Sequence, residues 1–153
     1  MPQFQMDGAN APGFKALDRF TQAYIEALFW TEHAPNVSTE EWQATEEHAE
    51  GSIPGDVGFD DLADESLAAI IADCVAWQAA NANDLALAYE EFHDNGMAYD
   101  EASAGHDYWL TRNGHGVGFW DRGLGAVGDR LSEAAGRREV YVYLGDDGKV
   151  YVS

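Results

Sequence analysis

Gly105-His106-Asp107-Tyr108-Trp109-Leu110-Thr111-Arg112-Asn113-Gly114-His115-Gly116-Val117-Gly118-Phe119-Trp120-Asp121-Arg122 is the stretch whose conformation decides the fold. Two aromatic runs flank Asn113-Gly114, the dipeptide that best supports the consecutive positive φ angles of a type I′ turn. With Asn113 and Gly114 as a two-residue loop, Arg112 falls opposite His115. One face then pairs Leu110 with Val117, Tyr108 with Phe119 and His106 with Asp121. The other pairs Asp107 with Trp120, Trp109 with Gly118 and Thr111 with Gly116, so that Gly116 and Gly118 leave room for the Trp109 indole. The stretch predicts a β-hairpin over residues 106–121, with Tyr108, Trp109, Asn113, Gly114, Gly116, Gly118 and Trp120 as its structural motif.

Beyond it, Leu124 to about Gly136 reads as a short helix with Leu124, Val127 and Leu131 inward and Arg130, Arg137 and Arg138 toward its C-terminal end. Residues 139–144 and 149–152 read as a second hairpin around Gly145-Asp146-Asp147-Gly148. Upstream, Phe14, Leu17, Thr21, Tyr24, Ile25 and Leu28 recur with helical spacing from Pro12 to about Thr31, and Ala34-Pro35-Asn36 stops that helix. Ser38 and Glu41 form a capping box opening a second helix that runs to about Glu50. After a Gly/Pro loop over 51–60, one apolar stripe runs from near Asp60 to about His93, with a break at Asn81-Ala82-Asn83-Asp84 and Asp94-Asn95-Gly96 as its stop. The expected fold class is α+β, N-terminal helices followed by a ββαββ antiparallel sheet unit. One domain of 153 residues is expected: a loose arm over 1–12, an acidic helical part over 13–94, and two hairpins with an intervening helix over 105–153.

The charge is abnormal. Twenty-eight acids against eight bases give −20. Residues 1–105 hold 21 of the acids and only Lys15 and Arg19 as bases, whereas residues 106–153 hold seven acids and six bases. A field of this sign repels nucleic acid, so direct contact with DNA or RNA phosphates is not expected. Salt adaptation predicts acids spread evenly, and the near-neutral C-terminal third argues instead for a localised acidic surface. No apolar run approaches the roughly 20 residues of a membrane span, and Met1 to Asp7 lacks the basic-then-apolar pattern of a signal peptide. Cys74 is the one cysteine, which excludes an internal disulfide and a multi-cysteine zinc site. Cytoplasm is the expected compartment, with no membrane association.

No nucleophile elbow, phosphate-binding glycine loop, HExxH or EF-hand pattern occurs, and neither a metal nor a cofactor is expected. His33, His48 and His93 stand singly on helices, and Cys74 falls within an apolar stripe. The hairpin stretch holds acid/base and oxyanion-type groups, so a small enzyme or ligand-binding protein using His106, Asp121 and Arg122 is one expectation. The competing structural expectation has His106 paired with Asp121 and Asp107 and Arg122 tying strand ends. Trp109 and Trp120 on one face would offer a stacking platform, although the basic groove for nucleic-acid stacking is missing.

The run from Gly105 to Gly116, with Gly118-Phe119-Trp120-Asp121-Arg122, resembles a motif of small uncharacterised acidic proteins of tailed phages and mobile elements. The resemblance covers about 18 residues and extends loosely to the Gly145–Gly148 hairpin. It implies a phage context and no site, since that family has no established activity. By charge, the acidic half is similar to proteins that imitate duplex DNA and block restriction, CRISPR or repair enzymes. The leading expectation is therefore a non-enzymatic counter-defence inhibitor that binds a basic, nucleic-acid-binding host protein. Its expected contact surface is Glu40, Glu41, Glu46, Glu47, Glu50, Asp60, Asp61, Asp64 and Glu65.

Overall fold

The computed structural model describes residues 12–45, 51–92 and 96–153. In order these form α1 (Pro12–Lys15), α2 (Arg19–Glu32), β1 (His33–Ala34), α3 (Thr39–Gln43), β2 (Ile53–Pro54), α4 (Asp64–Ala80), α5 (Ala82–Ala88), α6 (Glu101–Arg112), α7 (Ala126–Ala135), β3 (Val142–Leu144) and β4 (Val150–Val152), with single 3-10 turns at Phe59–Asp61 and Phe119–Asp121. The expected arm, the end of the second helix near Glu50, and His48, His93, Asp94 and Asn95 lie outside the described residues.

The ββαββ sheet unit does not form. Residues 106–112 belong to helix α6, and the only sheets among the described residues are two separate pairs, β1 with β2 in parallel and β3 with β4 antiparallel. None of the cross-strand pairs expected around Asn113-Gly114 exists, so Tyr108, Trp109, Gly116, Gly118 and Trp120 lose the strand roles assigned to them. Asp100 starts α6 by accepting hydrogen bonds from the Ser103 amide at 2.9 Å and its hydroxyl at 3.0 Å, which satisfies amides that a helix start leaves open. Asn113-Gly114 ends it. The His115 amide donates to the Leu110 carbonyl at 3.1 Å and the Gly114 amide to the Thr111 carbonyl at 3.3 Å, with φ of +66° at Gly114. Those are the two bonds of a Schellman stop. A positive-φ glycine is thus needed here, but at one position rather than two. Asn113 keeps a negative φ of −99°, and its side chain bonds back to the Trp109 carbonyl at 3.0 Å.

The misassignment has a physical origin. Ala104, Gly105 and the whole run Asp107–Thr111 are buried, the polar Asp107 and Thr111 among them. A helix that buries polar residues beside its aromatics shows no clean polar face to set its period, and its aromatics satisfy a two-residue alternation equally well. Its neighbour is α2, the helix it packs against most extensively. Gly105 makes the approach possible, because a Cβ there would lie 2.8 Å from the Phe20 carbonyl carbon. Trp109 is fully buried at this crossing, edge-on to Tyr24 at 5.2 Å, and its indole N–H donates to Thr31 Oγ1 at 2.8 Å.

α4 lies against the same core and ends at Asn81, where the chain breaks before α5 within the expected 81–84 interval. Trp77 of α4 stacks on Tyr108 at 4.3 Å and on Phe119 at 5.6 Å, with Phe20 at 5.9 Å. α7 buries Leu131 and half-buries Val127, then stops at Gly136, whose φ is +63°. The C-terminal hairpin is present in a shorter form, 142–144 with 150–152. It reaches back to the start of α4, where the Ala63 amide donates to the Val150 carbonyl at 2.9 Å and the Val152 amide to Ser66 Oγ at 3.1 Å. No helix among the described residues is long and apolar enough to cross a membrane.

Candidate functional site

Asp107 is the anchor of a buried polar cluster. It lies on the buried side of α6 and is 2% exposed. A carboxylate this deep needs partners, and it has two. Arg122 grips it side-on, Nε at 3.0 and 3.2 Å from the two carboxylate oxygens and Nη2 at 2.8 Å from Oδ1. Tyr99 donates its hydroxyl to Oδ2 at 2.7 Å. Burial pulls the Arg122 pKa down, and the Asp107 hydrogen bonds and charge more than reverse that, so it stays raised. Burial, followed by the Asp107 charge, pushes the Tyr99 hydroxyl far up. The phenol and guanidinium therefore remain donors throughout the accessible pH range.

Beside this cluster a solvent-open cavity of about 290 Å³ lies between α2 and α6, lined by Ala23, Glu26, Ala102, Ser103, His106, Asp107 and Arg122. Ala23, Glu26 and Trp30 recur at helical spacing, so they share one face of α2. Trp30 lays its ring against His106 at 5.6 Å. Burial pulls the His106 pKa below its ordinary value, the Asp107 charge opposing and Arg122 adding to that fall. Burial alone raises the Glu26 carboxyl.

Of the three residues expected to act together, the cavity gathers His106 and Arg122 but not Asp121. Asp121 instead accepts the Gly118 amide at 3.0 Å, closing the 3-10 turn, and only approaches Arg122 at 3.9 Å. The expected His106–Asp121 pair is absent, and Asp107 takes that place as the buried acid. His106 lies within α6, whereas His115 follows its stop and bonds back to the Leu110 carbonyl. Trp109 is buried and Trp120 exposed, so they form no shared stacking platform. Glu26 was not singled out from the sequence, although it interrupts a run in which Ala23, Tyr24, Ile25, Ala27, Leu28 and Phe29 are all buried. A single carboxylate inside such a run was the available signal.

A second cluster fixes the C-terminal end of α6. Arg112 Nη1 bonds Asp73 Oδ2, lies 3.0 Å from the Tyr108 hydroxyl and covers the Tyr108 ring at 4.9 Å, while Tyr108 donates to Asp73 Oδ1 at 3.0 Å. Arg112 Nε reaches the Arg138 carbonyl at 3.1 Å. These bonds join α4, α6 and the segment after α7. Burial, reinforced by the Asp73 charge, pushes the nearby Cys74 thiol far up, which keeps it an inert core residue. Among the described residues no three His, Cys, Asp or Glu side chains converge as a metal site would require.

The acids expected to meet a partner fall on α3, the 3-10 turn and the start of α4. Glu40, Glu41, Asp60, Asp64 and Glu65 are exposed and Asp61 is half-buried. Asp56 links the two segments by accepting from the Thr39 amide at 3.0 Å and from its hydroxyl at 2.7 Å. Ser38 Oγ accepts the Glu41 amide at 3.1 Å as the helix cap, and Asp61 accepts the Gly58 amide at 2.8 Å. Glu46, Glu47 and Glu50 lie outside the described residues. Compared with protein-family models, curated proteins and solved structures, the chain matches none.

Proposed function

We propose that this chain is a non-enzymatic binding protein that engages a basic, nucleic-acid-binding protein through its acidic face and competes there with nucleic acid. Exposed carboxylates on α3 and over 60–65 stand in for backbone phosphates, as they would in a phage-type inhibitor of a host enzyme. One observation carries this reading. Five of the eight cations are paired with acids elsewhere, Arg19 with Asp100, Arg112 with Asp73, Arg122 with Asp107, Arg130 with Asp84 and Arg137 with Glu139. No Lys or Arg among the described residues pairs with Glu40, Glu41, Asp60, Asp61, Asp64 or Glu65. Their charge is unrelieved within the chain, like-charge crowding of this kind opposes folding, and a basic partner would relieve it.

The test is capture of the partner from host lysate at low and high salt, followed by affinity measurements on the purified pair. Changing Glu40, Asp60 and Glu65 together to their amides is expected to weaken binding about tenfold at low salt, with a smaller loss at high salt. The same change at the equally exposed Asp129, Glu133 and Asp146 is expected to have little effect. Equal losses from the two triplets would refute a localised surface.

A further inference from the structure

We propose that the cavity between α2 and α6 is a binding site for an organic cation, a guanidinium or primary ammonium group held by the Glu26 carboxylate, with Trp30 at its margin through the ring contact with His106. Glu26 is half-buried, and among the described residues it has neither a hydrogen bond nor an ion pair. A carboxylate partly withdrawn from water without compensation lacks the partner that such groups ordinarily have. Trp30 stands four residues along the same helix, where side chains are neighbours. It remains 48% exposed despite its size. Its ring packs on His106, which lines the cavity together with Glu26, so a cationic nitrogen drawn to the carboxylate would lie near an aromatic whose quadrupole favours it.

The remaining lining determines the sign of the ligand. Arg122 would repel a cation, but its Nε and Nη2 are committed to Asp107, which carries the matching charge. Burial disfavours the imidazolium form of His106, which leaves Glu26 as the uncompensated charge. An anion would meet that carboxylate and the field of a chain with net charge −20. The volume, about 290 Å³, suits an alkylguanidinium or a lysine-sized amine. The site uses none of the acids over 40–65, so it stands or falls independently of the acidic face.

The same cation could arrive free or as a side chain of a bound protein, and two probes separate these sources. The full chain is titrated with ethylguanidinium and with the blocked tripeptide acetyl-Gly-Arg-Gly-amide. Propionamide serves as the neutral control and inorganic phosphate as the anionic one. The Trp30 indole N–H resonance, assigned by its loss in Trp30→Phe, reports occupancy. Both cations are expected to shift it with a Kd on the order of 1 mM, and Glu26→Gln is expected to weaken them about tenfold. Tighter binding of the tripeptide assigns the site to a partner's side chain, and tighter or equal binding of ethylguanidinium to a free metabolite. Glu26→Gln removes a partly buried charge, so its Tm is expected to equal or exceed that of the parent, and weakened binding is then not a folding defect. Shifts of equal size with propionamide or phosphate, undiminished cation binding in Glu26→Gln, or no shift well above the expected Kd would each overturn the proposal.

Discussion

Gly105→Ala tests the central helix crossing most directly. In an exposed helix this substitution stabilises by about 1 kcal/mol, because alanine loses less backbone freedom on folding. At Gly105 the added methyl would overlap the Phe20 carbonyl group, with its carbonyl carbon at 2.8 Å and its Cα at 3.0 Å. These atoms belong to the backbone of α2 and cannot swing aside as a side chain would. Relief therefore requires α2 and α6 to separate, which loosens Tyr24 and Leu28 on one side and Trp109 on the other. Overpacking of this kind costs about 1–3 kcal/mol and occasionally more. Rigid backbone on both sides puts Gly105 at the upper end, for a net loss of about 2–3 kcal/mol after the propensity gain. At this chain length that lowers Tm by about 4–12 °C. Urea unfolding monitored by far-UV circular dichroism measures it, with Gly13→Ala as the matched control, since a Cβ there would make only an ordinary 3.7 Å contact with Phe59. Equal or greater stability of Gly105→Ala would refute the close crossing and return residue 105 to an open position such as a strand end.

Three further outcomes follow from the same contacts. Gly114→Val places a β-branched residue at the left-handed stop of α6 and is expected to lower stability by about 1–3 kcal/mol in urea unfolding; a neutral result would remove the Schellman stop. Asp107→Asn keeps the side-chain shape but leaves Arg122 without its counter-charge, an expected loss of about 2–4 kcal/mol that shrinks when Arg122→Met is combined with it in a double-mutant cycle. Additive losses would show that the pair is not coupled. Asp18, the cap of α2, is pushed up by partial burial but pulled further down by its hydrogen bonds from Thr21 and Gln78, for a net lowered pKa. A lowered folded pKa gives stability that is present above the unfolded value and lost as pH falls through the folded one. Asp18→Ala should therefore cost about 1 kcal/mol at pH 7, and the gap to the parent should close in unfolding series carried below the ordinary aspartate range. A gap independent of pH would exclude capping by the carboxylate.

The helices whose polar faces reach water were legible in the sequence. α2 shows its apolar spacing at Tyr24, Ile25 and Leu28, α7 shows it against the exposed Asp129, Arg130 and Glu133, and the α4–α5 stripe carried its own break at Asn81. The terminal hairpin was legible too, because Tyr141, Val142, Tyr143 and Leu144 precede a four-residue polar turn. α6 was not, since Asp107 and Thr111 are buried in it beside the aromatics, and its polar residues therefore do not mark a solvent face from which to read its period. Asn113-Gly114 supplies positive φ to a hairpin turn and to a helix stop alike, and only Asp100, with Ser103 three residues on, distinguishes them. For the site, His106 and Arg122 were recognised for their chemistry. The sequence places Asp107 at a strand end and gives no role to Glu26, because what distinguishes them is burial, which depends on how α2 and α6 cross.

The column formed by Phe20, Trp77, Tyr108 and Phe119 has an optical consequence. The rings of Trp77 and Tyr108 lie 4.3 Å apart with their planes inclined by 17°, so each holds the other in a fixed asymmetric surrounding. The folded chain should therefore carry a near-ultraviolet dichroic signal from these rings. In a compact state that keeps its helices but loses fixed side-chain packing, that signal collapses while the far-ultraviolet one persists. The column is thus a native chromophore for tertiary order, reporting from inside the core without an attached label.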